Sequence, residues 1–368
     1  MAIKHSKIGV LTGGGDCAGL NAAVKWVVNT ALDSRMDDRR GTKFEVLGIK
    51  DGWKGLAFDS ENQSDYVEQL TRETVSDWDR QGGTNLGTSR YNPYSSKFKS
   101  SKLVIDNISK LGLDVLIAIG GDDTLTVAAK LSQEGVNVIG IPKTIDGDLV
   151  GTDYTLGFDT ALEVVVDIVD RLRTTAGSHR RIMVIEVMGR HAGWLTLRSG
   201  EASGASIILI PEYDFSLDRV NKLLTERRKA GVRSDIVLVA EGAKPAGGKL
   251  VCKNDQKDSF GHESLGGIAD YLSNEINNYL GIESRSVVLG HIQRGGIPSA
   301  HDRQMGRYFG IAAVNLAVRK EFGKMVSYLE GKITAVPIVN VIGKTKLVDI
   351  KTMYDTDSYN GSENILTE

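Results

Sequence analysis

Two short clusters carry the residue types that could do chemistry: Gly120-Gly121-Asp122-Asp123-Thr124 and Pro142-Lys143-Thr144-Ile145-Asp146-Gly147-Asp148. Each directly follows an apolar run that reads as a buried strand. In the first, glycine backbone beside two carboxylates suits a loop that approaches phosphate oxygens and holds a hard divalent cation. The second adds an ammonium beside two further carboxylates. Taken alone, either cluster reads equally well as a turn or a solvated surface. Taken together, they point to phosphoryl transfer.

The elements that must position these clusters are legible from periodicity. Apolar runs of strand length recur at 7–11, 115–119, 136–141, 182–187, 207–210, 236–240 and 287–289. Most are continuous rather than alternating, as expected for strands buried on both faces of a parallel sheet. Stretches with helical periodicity lie between them at 20–32, 125–131, 160–172 and 217–228. The alternation predicts an α/β fold with helices on both sheet faces. Most strands end in a polar or glycine-rich tip: Gly13-Gly14-Gly15-Asp16, the two clusters above, Met188-Gly189-Arg190, Pro211-Glu212, Glu241-Gly242 and Gly290-His291-Ile292-Gln293-Arg294. Ligands of open α/β sheets bind outside the carboxyl ends of strands, so these tips are expected to line one crevice. Residues 33–43 read as a surface loop, and a frayed tail is expected from Asp355 onward.

Composition narrows the class. The 368 residues are 41% hydrophobic and 25% charged, ordinary for a globular protein with room for two domains. A formal net charge of −2 gives no global attraction to nucleic acid or membranes. Cys17 and Cys252 make no CxxC pair or disulfide framework. With no apolar signal core at residues 1–7 and no run long enough to span a bilayer, a cytoplasmic protein is expected.

Other motifs are weaker. Gly13-Gly14-Gly15-Asp16-Cys17-Ala18 fits the dinucleotide pattern GxGxxA, but a glycine-rich turn before a helix serves any phosphate. Gly343-Lys344-Thr345 resembles the tail of a Walker A loop, yet Ile338 stands at its first glycine, so a P-loop is rejected. No zinc spacing and no GxSxG occur, and the six histidines are dispersed; His179, His191 and His301 read as structural.

In this order GGDDT, PKTIDGD, MGRHAGW and GHIQRGG resemble the phosphofructokinase family, across residues 9 to about 322. The resemblance implies two Rossmann-like three-layer α/β/α domains with mainly parallel sheets and an active site in the cleft between them. Residues 1–157 with about 293–345 would bind the phosphoryl donor, 158–292 the sugar phosphate, and 346–368 would be a C-terminal extension. The implied reaction phosphorylates the C1 hydroxyl of fructose 6-phosphate. Asp146 would accept the hydroxyl proton, with Asp148 close by; Asp122 would hold Mg²⁺; Gly14 would approach the donor phosphate and Arg90 steady the moving group. Thr144, Ile145, Met188, Gly189, Arg190 and Glu241 resemble sugar-binding positions. Arg181, Arg285, His291 and Arg294, with Ile292 and Gln293 in the same motif, would grip the 6-phosphate. In the family the arginines matching Arg181 and Arg285 come from a neighbouring subunit, which implies a homodimer or homotetramer.

Asp123 points to the donor. ATP-using members usually carry glycine after the Mg-binding aspartate, where the nucleotide α-phosphate passes. A carboxylate there adds steric conflict and like-charge repulsion of about a few kcal/mol. Lys143 replaces another usual glycine and can offset the charge of a leaving phosphate. Pyrophosphate is therefore the expected donor, in a reversible glycolytic and gluconeogenic step. Gly147 stands where the family usually has asparagine and Ala18 where it has proline; Lys25 and Asn29 fall where allosteric relatives carry effector-binding arginines. Alternatives are an ATP-dependent phosphofructokinase, a sedoheptulose 7-phosphate kinase and, from GxGxxA alone, an NAD-binding oxidoreductase. An inactive regulatory subunit is disfavoured by the presence of Asp122, Asp146 and Arg190.

Overall fold

The structure, a computed structural model, describes residues 4–36, 41–59, 62–248, 252–257 and 263–366. Residues 1–3 at the expected signal-free start, 37–40 of the expected surface loop and 367–368 of the expected tail lie outside the described residues, as does the Cys252 side chain. In chain order the elements begin β1 (Lys4–Thr12), α1 (Leu20–Ala31), β2 (Thr42–Ile49), β3 (Val67–Leu70), α2 (Ser101–Leu111), β4 (Val115–Gly120), α3 (Asp122–Gln133) and β5 (Val138–Pro142). Then follow α4 (Phe158–His179), β6 (Ile182–Val187), α5 (Trp194–Ser203), β7 (Ile207–Leu209), α6 (Leu217–Lys229), β8 (Asp235–Ala240), β9 (Cys252–Lys257) and β10 (Glu263–Leu265). The last are α7 (Ile268–Leu280), β11 (Ser284–Val288), α8 (Ala300–Arg319), β12 (Lys324–Leu329), β13 (Lys332–Pro337), β14 (Tyr354–Asp355) and β15 (Asn360–Gly361).

The chain divides into two compact units. Unit 1 comprises Met1–Ile145, Leu149–Thr160 and Arg294–Lys344; unit 2 comprises Asp146–Asp148, Ala161–Gln293 and Thr345–Glu368. Unit 1 carries a seven-stranded sheet, β13-β12-β5-β4-β1-β2-β3, parallel except for the outer strands β13 and β3. Its central strands are fully buried, which accounts for their continuous apolar sequence. Leu116 and Ala118 of β4 pack with Val104 and Ile108 of α2 and Leu125 and Ala128 of α3 in one core cluster. Elsewhere in the unit α1 and α8 pack through small residues. A Cβ at Gly306 would stand 2.8 Å from Ala22 Cβ, and one at Gly310 would stand 2.8 Å from the Ala23 carbonyl oxygen.

Asp302, near the start of α8, is the polar hub of unit 1. Fully buried, it accepts hydrogen bonds from Tyr154 Oη (2.7 Å), Gly157 N (2.7 Å), Thr160 N (3.0 Å) and Thr160 Oγ1 (2.5 Å). Ser299 caps the helix by accepting from Asp302 N at 3.1 Å. Gly157 also leaves space for Cys17, because a Cβ there would stand 2.4 Å from the sulfur. Burial pushes the Cys17 thiol up from 9.0 to about 12, although the neighbouring Lys143 ammonium opposes the shift.

Unit 2 carries a four-stranded parallel sheet, β11-β6-β8-β7. Glu186 of β6 is buried yet satisfied, accepting from Gly267 N (2.9 Å) and Ala269 N (3.2 Å) at the start of α7. The tail expected to fray from Asp355 instead packs on this unit. Tyr354 and Tyr359 are buried, Tyr354 Oη donates to the Ile208 carbonyl at 2.6 Å, and Ile208 N donates to the Tyr359 carbonyl at 2.7 Å. The polar composition of the tail concealed Tyr359, which with Tyr354 just before the tail satisfies the otherwise open edge of β7.

Two expected outcomes follow from the buried groups. Asp302→Ala leaves four donors without their acceptor, and urea unfolding is expected to show a loss of about 3 kcal/mol or more. For Cys17, the folded pKa lies above the unfolded value, so its contribution to stability is intact below pH 9.0 and is lost as pH rises towards about 12. Unfolding midpoints measured across that range should fall less steeply in Cys17→Ala than in the unchanged protein.

Candidate active site

Register brings the tips of unit 1 level. Thr12 of β1 pairs with Ile119 of β4, and Gly120 pairs with Pro142 of β5, so three loops leave the sheet at one edge. Gly13 N donates to the Ile119 carbonyl at 2.9 Å, and Lys143 N donates to the Gly120 carbonyl at 3.0 Å. Thr124, buried in the first turn of α3, fills a notch between the loops. A Cβ on Gly13 would stand 2.7 Å from Thr124 Oγ1, and one on Gly120 would stand 2.4 Å from Thr124 Cβ. Gly14 adopts φ +79°, which favours glycine.

Lys143 runs beneath this loop. Its side chain is nearly buried and Nζ donates to the Gly15 carbonyl. A Cβ on Gly15 would stand 2.7 Å from Arg294 Nη1, so the bare glycine lets that guanidinium lie against the loop. Arg294, read from sequence with the sugar-phosphate residues, is thus set against the glycine turn. Arg90 is exposed at the end of a segment held to the same turn: Thr88 Oγ1 donates to the Gly14 carbonyl at 2.6 Å and Gly14 N donates to the Ser89 carbonyl at 3.4 Å.

Asp122 and Asp123 form the first turn of α3 rather than a loop. Negative charge is favoured there by the helix dipole. Asp122 is exposed and accepts from Gly343 N at 3.1 Å; Asp123 is half-buried. Among the described residues no group of three or more His, Cys, Asp or Glu is arranged to hold a metal ion. The exposed Asp122 carboxylate nonetheless has the chemistry for Mg²⁺, which takes one or two carboxylates together with substrate phosphates and water.

In unit 2 the ends of β6 and β8 bring another set together. Glu241 N donates to the Val187 carbonyl at 2.9 Å and Gly242 N to the Gly189 carbonyl at 3.2 Å. A Cβ on Gly242 would stand 2.0 Å from the Arg190 carbonyl oxygen, so only glycine permits this approach. Met188 N donates to Gln293 Oε1 at 3.2 Å, tying in the turn after β11. Met188, Gly189, Arg190, Glu241 and Gln293 therefore form one group, while His291 and Ile292 in that turn are exposed. Asp146 belongs to unit 2; Thr144 and Ile145, just before it, belong to unit 1. Thr144 is held through its carbonyl by Thr155 Oγ1 at 2.7 Å, and Ile145 is buried.

Arg181 and Arg285 lie elsewhere. Arg181 precedes β6, whereas Met188 to Arg190 follow it, and six strand residues span roughly 20 Å. Arg285 pairs in register with Met183, at the same beginning of the sheet. Glu283 joins the two arginines, accepting from Arg181 Nε at 2.7 Å and Arg285 Nη2 at 2.5 Å. These guanidiniums hold the Glu283 carboxyl below its ordinary range.

Several of these contributors escaped sequence reading. Glu283 stood two residues before Arg285, and thus on the same strand face, which is a usable signal. Glu212, legible only as part of a strand tip, accepts from Gly193 N at 2.9 Å and Val348 N at 2.9 Å, and Gly343, legible only within a Walker-like run, donates to Asp122; these partners could not be read because all are remote in sequence. Lys25 pairs with Asp79 at 2.8 Å and donates to the Ser76 carbonyl at 2.6 Å, so its charge is already engaged.

Comparison with known proteins converges on one family. Residues 7–317 match Phosphofructokinase. The chain is 46% identical over 93% of its length to a pyrophosphate--fructose 6-phosphate 1-phosphotransferase of Amycolatopsis methanolica, of which 96% is covered. It is also 44% identical over 93% of its length to ATP-dependent 6-phosphofructokinase 3 of Streptomyces coelicolor, again covering 96%. The crystal structure of a pyrophosphate-dependent phosphofructokinase from Marinobacter aquaeolei superposes with a TM-score of 0.81 at 21% identity, covering 98% of this chain and 89% of that one, which establishes the shared fold. The chain is a phosphotransferase of the phosphofructokinase family.

Proposed function

We propose that the protein catalyses the reversible, Mg²⁺-dependent transfer of a phosphoryl group from pyrophosphate to the C1 hydroxyl of fructose 6-phosphate, yielding fructose 1,6-bisphosphate and phosphate. One observation carries the choice of donor: half-buried Asp123 follows Asp122 in the first turn of α3, with the Lys143 ammonium beneath the neighbouring glycine turn. A nucleotide α-phosphate passing this turn would meet a carboxylate, whereas inorganic pyrophosphate ends before it.

In this reading Asp146 accepts the proton of the C1 hydroxyl as its oxygen attacks phosphorus. The bridging P–O bond breaks and inorganic phosphate leaves, its charge offset by Lys143 and Arg90. Asp122 would hold Mg²⁺, which would supply further charge neutralisation at the donor. Met188, Gly189, Arg190, Glu241 and Gln293, with Thr144 and Ile145, orient the sugar. Arg181 and Arg285 begin strands whose other ends carry that group, roughly 20 Å away. They would serve the 6-phosphate in a neighbouring copy, within a homodimer or homotetramer, beside His291, Ile292 and Arg294. No helix of the described residues is long and apolar enough to cross a membrane, and the proposed setting is the cytoplasm.

ATP as donor is the second reading, favoured by 44% identity to a relative named for ATP. A coupled assay with fructose 6-phosphate and either donor separates the two: turnover with pyrophosphate and little with ATP is expected, and the reverse overturns the donor assignment. Asp123→Gly should admit nucleotide, raising ATP affinity about tenfold or more in calorimetry. Asp146→Ala should lower kcat by about 10²–10⁴ with an unchanged melting temperature; a near-normal kcat would exclude its role as base.

A further inference from the structure

Gly343 and Lys344, of the run rejected above as a P-loop, close the last segment of unit 1. After β13 the chain is pinned by Ile338, fully buried with its N–H donating to the Gly323 carbonyl at 2.9 Å, and by Val341, also buried. Both side chains line glycines: a Cβ on Gly140 would stand 3.2 Å from Ile338 Cδ1, and one on Gly151 would stand 2.9 Å from Val341 Cγ1. These anchors deliver Gly343 to Asp122, whose Oδ1 accepts its N–H at 3.1 Å. Gly343 adopts φ +66°, with open space where a side chain would stand. Lys344 follows, exposed, its ammonium making no ion pair among the described residues. From the backbone dimensions its Cα lies within about 8 Å of Asp122 Oδ1, and its flexible four-carbon stem spans much of that distance.

We propose that Gly343-Lys344 is a donor-phosphate element: the Gly343 N–H positions the Asp122 carboxylate, and the Lys344 ammonium binds the phosphate that meets it. The geometry places a backbone donor, followed at once by an exposed lysine, beside the one exposed carboxylate at the start of α3. This is the chemistry a Walker A lysine supplies, reached by a different connection and without the surrounding glycine loop. The inference rests on reading Asp122 as the donor-side carboxylate, but not on whether the donor is pyrophosphate or ATP.

Calorimetric titration of magnesium pyrophosphate onto the full chain, without sugar, tests the lysine. Lys344→Ala is expected to weaken donor binding about tenfold, the loss of one charge-assisted contact, and to raise the KM for donor in parallel. The KM for fructose 6-phosphate and the melting temperature should stay as they are, and Lys344→Arg should restore most of the affinity. Unchanged donor affinity in Lys344→Ala, or equal changes in both KM values, overturns it. For Gly343, Mn²⁺ binding followed by electron paramagnetic resonance should hold in Gly343→Asn, which keeps the N–H and tolerates φ +66°. It should weaken several-fold in Gly343→Pro, which lacks both the N–H and that conformation, and equal affinity in the proline variant removes the positioning role. Asp122→Ala separates the two levels. If it keeps full donor affinity, the underlying reading of Asp122 fails; if it loses affinity while Lys344→Ala does not, only the present inference fails. Should the unaltered protein use ATP alone, the same titrations run with magnesium ATP and the lysine is judged by them.

Discussion

A nearly buried ammonium governs the layout of unit 1. Lys143 has given up most of its hydration, so it must be met by oxygen atoms inside the protein. The Gly15 carbonyl supplies one, in a turn from Gly13 to Gly15 that carries no side chains. That bareness admits Thr124 from α3 and the Arg294 guanidinium from before α8, each of which a Cβ on Gly13 or Gly15 would meet at 2.7 Å. The glycines are therefore less a source of flexibility than a means of close approach. Two cations, a helix start and a strand end meet in a space that one added methyl group would block.

Packing at a distance keeps that convergence in register. Parallel pairing of β1, β4 and β5 ends three strands at one level. The contact of Gly306 and Gly310 with α1 holds α8 close to the helix that follows the glycine turn. Asp302 then links the start of α8 to residues 154–160 through four hydrogen bonds, and Cys17 is sealed beneath Gly157. Unit 2 applies the same device once more, where Gly242 lets the end of β8 approach Gly189 and Arg190 at the end of β6. Its C-terminal segment contributes backbone partners and two buried tyrosines to the edge of β7, which stabilises an otherwise short strand.

The strands and most helices were legible because parallel, doubly buried strands leave continuous apolar runs and surface helices leave a 3.6-residue stripe. The expected helix over 125–131 extends back to Asp122, because the acidic pair reads as a loop in sequence but forms the first turn at the positive end of a helix in space. Residues 160–172 likewise lie within a longer helix, Phe158–His179. The tail was misjudged since its polar residues outnumber Tyr354 and Tyr359, and only the partners at Ile208 and Ser216 reveal what those rings anchor. The partners of Glu212 and Gly343 were hidden for the same reason: each acts through a bond to a residue more than a dozen positions away.

From the sequence by itself came the α/β class, the order of the glycine and carboxylate tips, and the family that those motifs mark. These are local properties, set by burial periodicity and by which residue types occupy a strand end. Tertiary structure alone decided which tips share a neighbourhood. It set Lys143 and Arg294 against the Gly13–Gly15 turn, put Arg181 and Arg285 at the opposite end of their strands from Arg190, and returned Gly343 to Asp122. Those outcomes depend on strand register, on close approach at bare glycines and on hydrogen bonds between residues far apart in the chain. None of the three is written in the spacing of any one motif.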